Sequence, residues 1–218
     1  MGSEYSNIEI KSALEKHNLK YTNLSENELI TSAAQALYEG KIIGWFQGRC
    51  ELGPASSRKP FNSVPAISKK YENESKYNQG MRKFRPFAGS ILQDHVHEYF
   101  DVPEEKYYSP FMNYCFTVQK EKRKELAAIV HKDNTCRIQT VSFQRPTTND
   151  HRPDNLYFSL ISEFYRLTGV PCILNTSFNL KGEPIAESPE QAVNDFMKTK
   201  MDVLYIGSFE VKKQIYFP

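Results

Sequence analysis

Apolar and polar positions along the chain fall into blocks of helical and strand-like spacing. Residues 5 to 20 predict a short amphipathic helix, with Ser6 as N-cap, Glu9 completing a capping box, and Ile8 and Leu14 on the buried face. A second helix is expected from Glu26 to Tyr38, stopped by Gly40. KIIGWFQG, 41 to 48, is an apolar run rich in β-formers between glycines and reads as a buried strand. Residues 49 to 80 are rich in Pro, Ser, Asn and charge, have little periodicity, and read as a long loop with a turn of helix. A loop of that length in a compact domain is usually functional or mobile.

KFRPFAGSIL, 83 to 92, reads as a strand that enters a helix through DHVHEYF. Met112 to Gln119 predicts a strand, Lys120 to Arg123 a charged bend, and residues 124 to 130 a further short element. CRIQTVSF, 136 to 143, alternates as a strand does, and 145 to 154 reads as a loop. Leu156, Leu160, Ile161, Phe164 and Leu167 are spaced for a helix that ends at Gly169. VPCILNTSF follows as a buried strand with a polar end. Ser188 and Pro189 open a helix to about Lys200, and MDVLYIGSFEVKK closes the chain with one or two strands. The mixture predicts an α/β or α+β domain.

The chain has 218 residues, enough for one domain that buries about 70% of its unfolded surface. Thirteen Tyr and fourteen Phe exclude a disordered chain. The net charge of +2 gives no bulk attraction for nucleic acid, yet a local cluster of cations would still serve a small anion. Cys50, Cys115, Cys136 and Cys172 form no CxxC pair and read as reduced thiols of a cytosolic core. The start of the chain has no apolar signal region, and no window approaches a membrane span. Both observations predict a cytoplasmic protein.

Candidate chemistry is concentrated in NTSFNLKGEPI, 175 to 185. Small hydroxyl and amide side chains at a strand end suit a phosphate or a planar amide, and equally an ordinary polar turn. Arg137 and Gln139 share one face of a strand, where an arginine must reach solvent, a carboxylate or an anionic ligand. Arg49 faces either Glu51 or a phosphate. Among the cations Arg58, Lys59, Lys69, Lys70, Arg82, Lys83 and Arg85, most read as solvated surface; Arg85, between Phe84 and Pro86, is held by packing. His95 and His97 are two apart and cannot chelate one ion from a helix, whereas Asp94 and Glu98 could share a face; no third ligand accompanies them.

GWFQGRCELGP, FRPFAGSIL, SPFM, VHKDNTCRIQTV, GVPCILNTSFNLKGEPI and DVLYIGSFEV occur in an order that resembles the C-terminal domain of O-carbamoyltransferases of the nodulation and antibiotic-tailoring type. The resemblance runs from about Tyr5 to Lys213. It implies a helical lead-in over 1–40 and a YrdC-like domain over 41–218, a twisted mixed sheet flanked by helices. It also implies carbamoyladenylate formation from carbamoyl phosphate and ATP with Mg²⁺. An actin-like N-terminal partner domain, holding its own iron or other metal, would then pass the carbamoyl group to a hydroxyl. By motif, Arg137 would hold phosphate, and Asn175 and Ser177 would contact the carbamoyl or phosphate group. Arg49, Arg58, Lys59, Arg85, Gln139, Thr176 and Asn179 would contribute to nucleotide or anion binding.

Two stretches depart from the family pattern. Where members usually read G-P-R-A-L-G-N-R-S-I-L, this chain has Gly53-Pro54-Ala55-Ser56-Ser57-Arg58-Lys59-Pro60, and Gln79, Met81 and Arg82 precede FRPF in place of Lys, Arg and Glu. These departures favour an alternative, a non-catalytic YrdC-like binding or assembly module; intact Arg137 and NTSFN favour the enzyme. RNA binding is a weaker third reading, because the net charge is low and no basic-aromatic platform is present.

Overall fold

A computed structural model of the protein describes residues 4–48, 61–65, 87–143, 155–180 and 182–213. The capping box expected at Ser6 and Glu9 forms, and two more accompany it. Ser6 and Glu9 start α1 (Asn7–Lys16), and Ser25 with Glu28 start α2 (Glu26–Tyr38). Ser188 and Gln191, with Pro189 in the first turn, start the last helix at Pro189. Reciprocal capping satisfies two backbone N–H groups that the first turn cannot pair, so these starts are fixed locally. Ile8 departs from expectation and is exposed, while Ile10, Ala13 and Leu14 are buried. The three buried residues form the i, i+3, i+4 stripe, and Ile8, two residues before Ile10, lies well round the helix from them.

The described strands form one nine-stranded mixed sheet, in the order β1-β9-β8-β2-β3-β7-β4-β6-β5. They are β1 (Thr22–Asn23), β2 (Ile43–Phe46), β3 (Phe61–Pro65), β4 (Ala88–Leu92), β5 (Cys115–Thr117), β6 (Thr135–Val141), β7 (Cys172–Ser177), β8 (Val203–Ile206) and β9 (Phe209–Lys212). The remaining α-helices among the described residues are α3 (Val96–Tyr99), α4 (Asn155–Thr168) and α5 (Pro189–Lys198).

β3 corrects the reading of 49–80 as a loop. It lies antiparallel between β2 and β7, with Ser63 opposite both Ile43 and Asn175. Its sequence, FNSVP, shows no clean alternation, and pairing partners distant in the chain decide its conformation. β5 is shorter than the strand expected over 112–119. Met112 sits at φ 53, a left-handed conformation that cannot continue a strand, and Val118 makes only an isolated bridge to Phe100. In place of a regular element over 124–130, residues 123 to 129 form consecutive turns that still bury Leu126, Ala128 and Ile129.

Helices cover both faces of the sheet. On one face α2 and α4 bury Leu29, Leu37, Leu160 and Phe164 against Ile43, Trp45, Ile173, Val203 and Tyr205. On the other, α1 and α5 bury Leu14, Val193 and Phe196 in a layer with Ile138, Leu174 and Leu204, which Ile129 completes. Gly89 lies in this second layer at the sheet centre: a Cβ there would stand 2.5 Å from Ile129 Cδ1 and 2.9 Å from Cys172 Sγ. Cys136 and Cys172 are buried free thiols, and burial pushes both well above the ordinary thiol range. Cys115 departs from the core reading and is exposed, because β5 is the edge strand. Cys50 lies outside the described residues. No helix among the described residues is long and apolar enough to cross a membrane.

Candidate functional site

Strand alternation builds the candidate site. Ala88 of β4 is register partner to Arg137 of β6 on one side and to Asn175 of β7 on the other. These three residues therefore share one face, with Asn175 and Arg137 roughly 10 Å apart across two strand spacings. Two residues along each strand, Ser90 and Gln139 continue the same face, and Ser177 continues it in the other direction. This is the face that α2 and α4 cover further along, around Leu92, Val141 and Ile173. The polar positions lie beyond that apolar half.

Arg137 is exposed although it sits within the longest strand of the sheet, with Cys136 and Ile138 on either side fully buried. Among the described residues its guanidinium has neither a carboxylate partner nor a hydrogen bond. An arginine so placed offers a fork of N–H donors suited to a planar or tetrahedral oxyanion.

Beneath it lies a closed polar network. Gln139 is 1% exposed and Ser90 0%. Ser90 Oγ donates to Gln139 Oε1 at 2.9 Å, and Asn175 Nδ2 donates to Ser90 Oγ and Gln139 Oε1, each at 3.0 Å. Gln139 Nε2 donates to the Pro110 carbonyl at 3.1 Å. Ser109 holds that segment against the edge of β6 through Ser109 N to Thr140 Oγ1, 2.7 Å, and Thr140 N to Ser109 O, 2.9 Å. Met112, in its left-handed conformation, is buried against Ala88. The SPFM motif thus serves as a clamp that fixes the floor of the site.

At the end of β7, Ser177 Oγ donates to Asn179 Oδ1 at 2.6 Å. Asn179 Nδ2 donates to the carbonyls of Leu180 and Glu183, at 3.1 and 2.9 Å. Asn179 therefore staples the turn that carries Gly182, whose φ of 86 suits glycine. Further along, Glu183 hydrogen-bonds Asp195 of α5. Burial first, and Glu183 second, push the Asp195 carboxyl up to about 6.

The structure brings Arg137, Asn175, Gln139 and Ser177 to one face. Thr176 falls on the opposite face, opposite Asn62 of β3, and Asn179 lies past the strand end in the turn. Arg49, Arg58, Lys59 and Arg85 lie outside the described residues, as do Lys69, Lys70, Arg82 and Lys83. Ser90 and the Pro110 carbonyl escaped the sequence reading. A lone serine in the apolar strand AGSIL is the signal that could have found Ser90; a backbone carbonyl leaves none. Asp94 and Glu98 do not join: Asp94 pairs with Lys106 at 2.7 Å and Glu98 with His95 at 2.9 Å.

The mixed nine-stranded sheet with helices on both faces is the YrdC-like fold. The P. abyssi Sua5 structure in complex with L-threonine superposes with a TM-score of 0.60 at 16% identity, over 89% of this chain and 50% of that one. The family model described as the carbamoyltransferase C-terminus matches residues 34–213, and the chain belongs to that family. Nodulation protein NolNO of Sinorhizobium fredii is 36% identical over 195 residues, 88% of this chain and 27% of that protein. The 3'-hydroxymethylcephem-O-carbamoyltransferase of Amycolatopsis lactamdurans is 30% identical over 188 residues, 83% of this chain and 32% of that protein. The chain spans about a quarter to a third of the length of these relatives.

Proposed function

We propose that this domain binds carbamoyl phosphate and ATP and forms carbamoyladenylate, which a partner domain of the actin-like type transfers to a hydroxyl. The exposed Arg137 guanidinium, on one face with Asn175 and Ser177, is the observation that carries the reading. Membership of the family, and the O-carbamoyltransferase named among the relatives, supports the carbamoyl part of it.

Hydrolysis of carbamoyl phosphate leaves carbamate and inorganic phosphate. A carbamate oxygen then attacks the α-phosphorus of ATP; the new O–P bond forms as the bond to pyrophosphate breaks. Charge builds on phosphoryl oxygens, and fixed donors such as Arg137 stabilise it because they need no reorganisation. Asn175 and Ser177 hold the small acyl group in place, with Gln139 and Ser90 fixing Asn175 from beneath, so that rate comes from positioning. Mg²⁺ enters with ATP, held mainly by phosphate oxygens and water. Among the described residues no three His, Cys, Asp or Glu side chains gather to hold a metal ion.

The test is pyrophosphate release from ATP with carbamoyl phosphate and Mg²⁺, with the chain alone and with an actin-like partner half added. Arg137→Ala is expected to lower the rate at least about a hundredfold, the loss of roughly 3 kcal/mol that an aimed transition-state donor supplies. No pyrophosphate in either arrangement, or wild-type rates in the Arg137→Ala variant, would refute the assignment.

A further inference from the structure

The polar network beneath the site has only one arrangement of its amides. The Pro110 carbonyl can only accept, so the amide group of Gln139 that faces it at 3.1 Å must be the NH₂. Gln139 Oε1 therefore points the other way, where Ser90 Oγ and Asn175 reach it at 2.9 and 3.0 Å. An oxygen facing an oxygen would repel, so Asn175 must present its NH₂ there. Both N–H bonds of that group are then consumed, one on Gln139 Oε1 and one on Ser90 Oγ. The chain of constraint begins at a proline carbonyl and ends with Asn175 Oδ1 as the atom of the amide that the network leaves over. Asn175 is 9% exposed, against 0% for Ser90 and 1% for Gln139, so it is the member of the network that meets the site.

We propose that Asn175 Oδ1 is a specificity determinant that reads an N–H donor on the ligand. The inference rests on the carbamoyl phosphate reading above and names the atom that makes it selective. A carbamoyl group offers an NH₂ where an acetyl group has a methyl and a carboxy group has an oxygen. The methyl leaves Oδ1 desolvated and unsatisfied, and the oxygen repels it. Arg137 holds the phosphate equally well in all three and cannot discriminate. Selection of the acyl end falls to Asn175, and Gln139 and Ser90 act as positioning residues that stop its amide from turning over.

The test is titration calorimetry of the chain with fresh carbamoyl phosphate, with acetyl phosphate, and with inorganic phosphate. Acetyl phosphate has the same shape as carbamoyl phosphate and lacks the donor. Carbamoyl phosphate is expected to bind about tenfold tighter or more than acetyl phosphate, because sites built around a hydrogen bond reject analogues that cannot make it. In Asn175→Leu the ratio of the two affinities is expected to fall below about threefold, as loss of a single hydrogen bond to the carbamoyl group implies. Gln139→Leu, which frees the Asn175 amide to turn over, should shrink the ratio as well. Equal affinities for the two acyl phosphates in the wild type overturn the inference whatever the variants do, and leave the phosphate site standing. Failure to bind any of the three ligands removes the phosphate site and the inference with it.

Discussion

Asp195 of α5 is 4% exposed, and its carboxyl is pushed up to about 6, first by burial and next by the Glu183 carboxyl that hydrogen-bonds it. Lys198, on the same helix, pulls in the opposite direction and only partly offsets these effects. The folded domain therefore favours the protonated acid. Because the folded value lies above the ordinary 3.8, the stabilisation is fully present below about pH 4 and is lost as pH rises through 6. The interval between 3.8 and about 6 sets a ceiling near 3 kcal/mol at 1.36 kcal/mol per unit. Glu183 is open to solvent, which screens part of the interaction, so about 1–2 kcal/mol is the expected size.

Asp195→Asn replaces the acid with a neutral group that still donates to Glu183. Urea unfolding of wild type and variant, from pH 4 to pH 8, reads the effect directly. The variant is expected to match the wild type within about 0.5 kcal/mol near pH 4 and to exceed it by about 1–2 kcal/mol at pH 8, with the change accumulating between about pH 4 and pH 6 and flat above it. Hydrogen exchange adds a local readout. Ionised Asp195 repels Glu183, so amides of residues 182 to 186 should exchange faster at pH 8 than at pH 5 in the wild type, after correction for intrinsic rates, and not in the variant. A difference between the two proteins that stays flat with pH would refute the buried-acid argument.

Two further outcomes test the packing. Gly89→Ala puts a Cβ 2.5 Å from Ile129 Cδ1 and 2.9 Å from Cys172 Sγ at the centre of the sheet, and should cost about 1–3 kcal/mol of unfolding free energy in urea; an unchanged midpoint would mean that Ile129 moves aside freely. Ser188→Ala removes the N-cap hydroxyl of α5 and one half of its capping box, and should lower stability by about 1 kcal/mol, seen as a fall in Tm of about 2–4 °C.

The helices were legible because their signals are local. Ser6 with Glu9 and Ser188 with Pro189 sit within one turn of what they start, so no distant contact can overrule them. Strand β3 was illegible for the opposite reason: Phe61–Pro65 owes its conformation to β2 and β7, and the run between Gly53 and Gly80 carries turn-forming residues on both sides of it. The site divides in the same way. Arg137 stood out as a charge in an apolar strand, and Asn175 and Ser177 as polar residues at a strand end. Their neighbour Thr176 was grouped with them, though the two-residue period of a strand turns it to the other face. Ser90, Gln139 and the Pro110 carbonyl meet only because β4, β6 and β7 are adjacent. No spacing along the chain encodes that meeting.

The division of one sheet face into an apolar and a polar half bears on why the polar half exists. Around Trp45, Ile173 and Tyr205 the face is buried by α2 and α4 as in any layered domain. Two residues on from Leu92, Val141 and Ile173 along β4, β6 and β7, Ser90 and Gln139 are just as buried and Asn175 nearly so, yet they are polar. Hydrogen bonds among them largely restore what desolvation removes, so the network adds little stability over an apolar replacement of the whole cluster. Packing alone gives no reason for three polar side chains there. Orientation does: the network converts a fixed proline carbonyl into a fixed direction for the Asn175 amide, next to an arginine that no carboxylate among the described residues neutralises. A domain that only assembled with other proteins would need neither the aimed amide nor the uncompensated charge. That pairing favours the small-molecule site over the purely structural module.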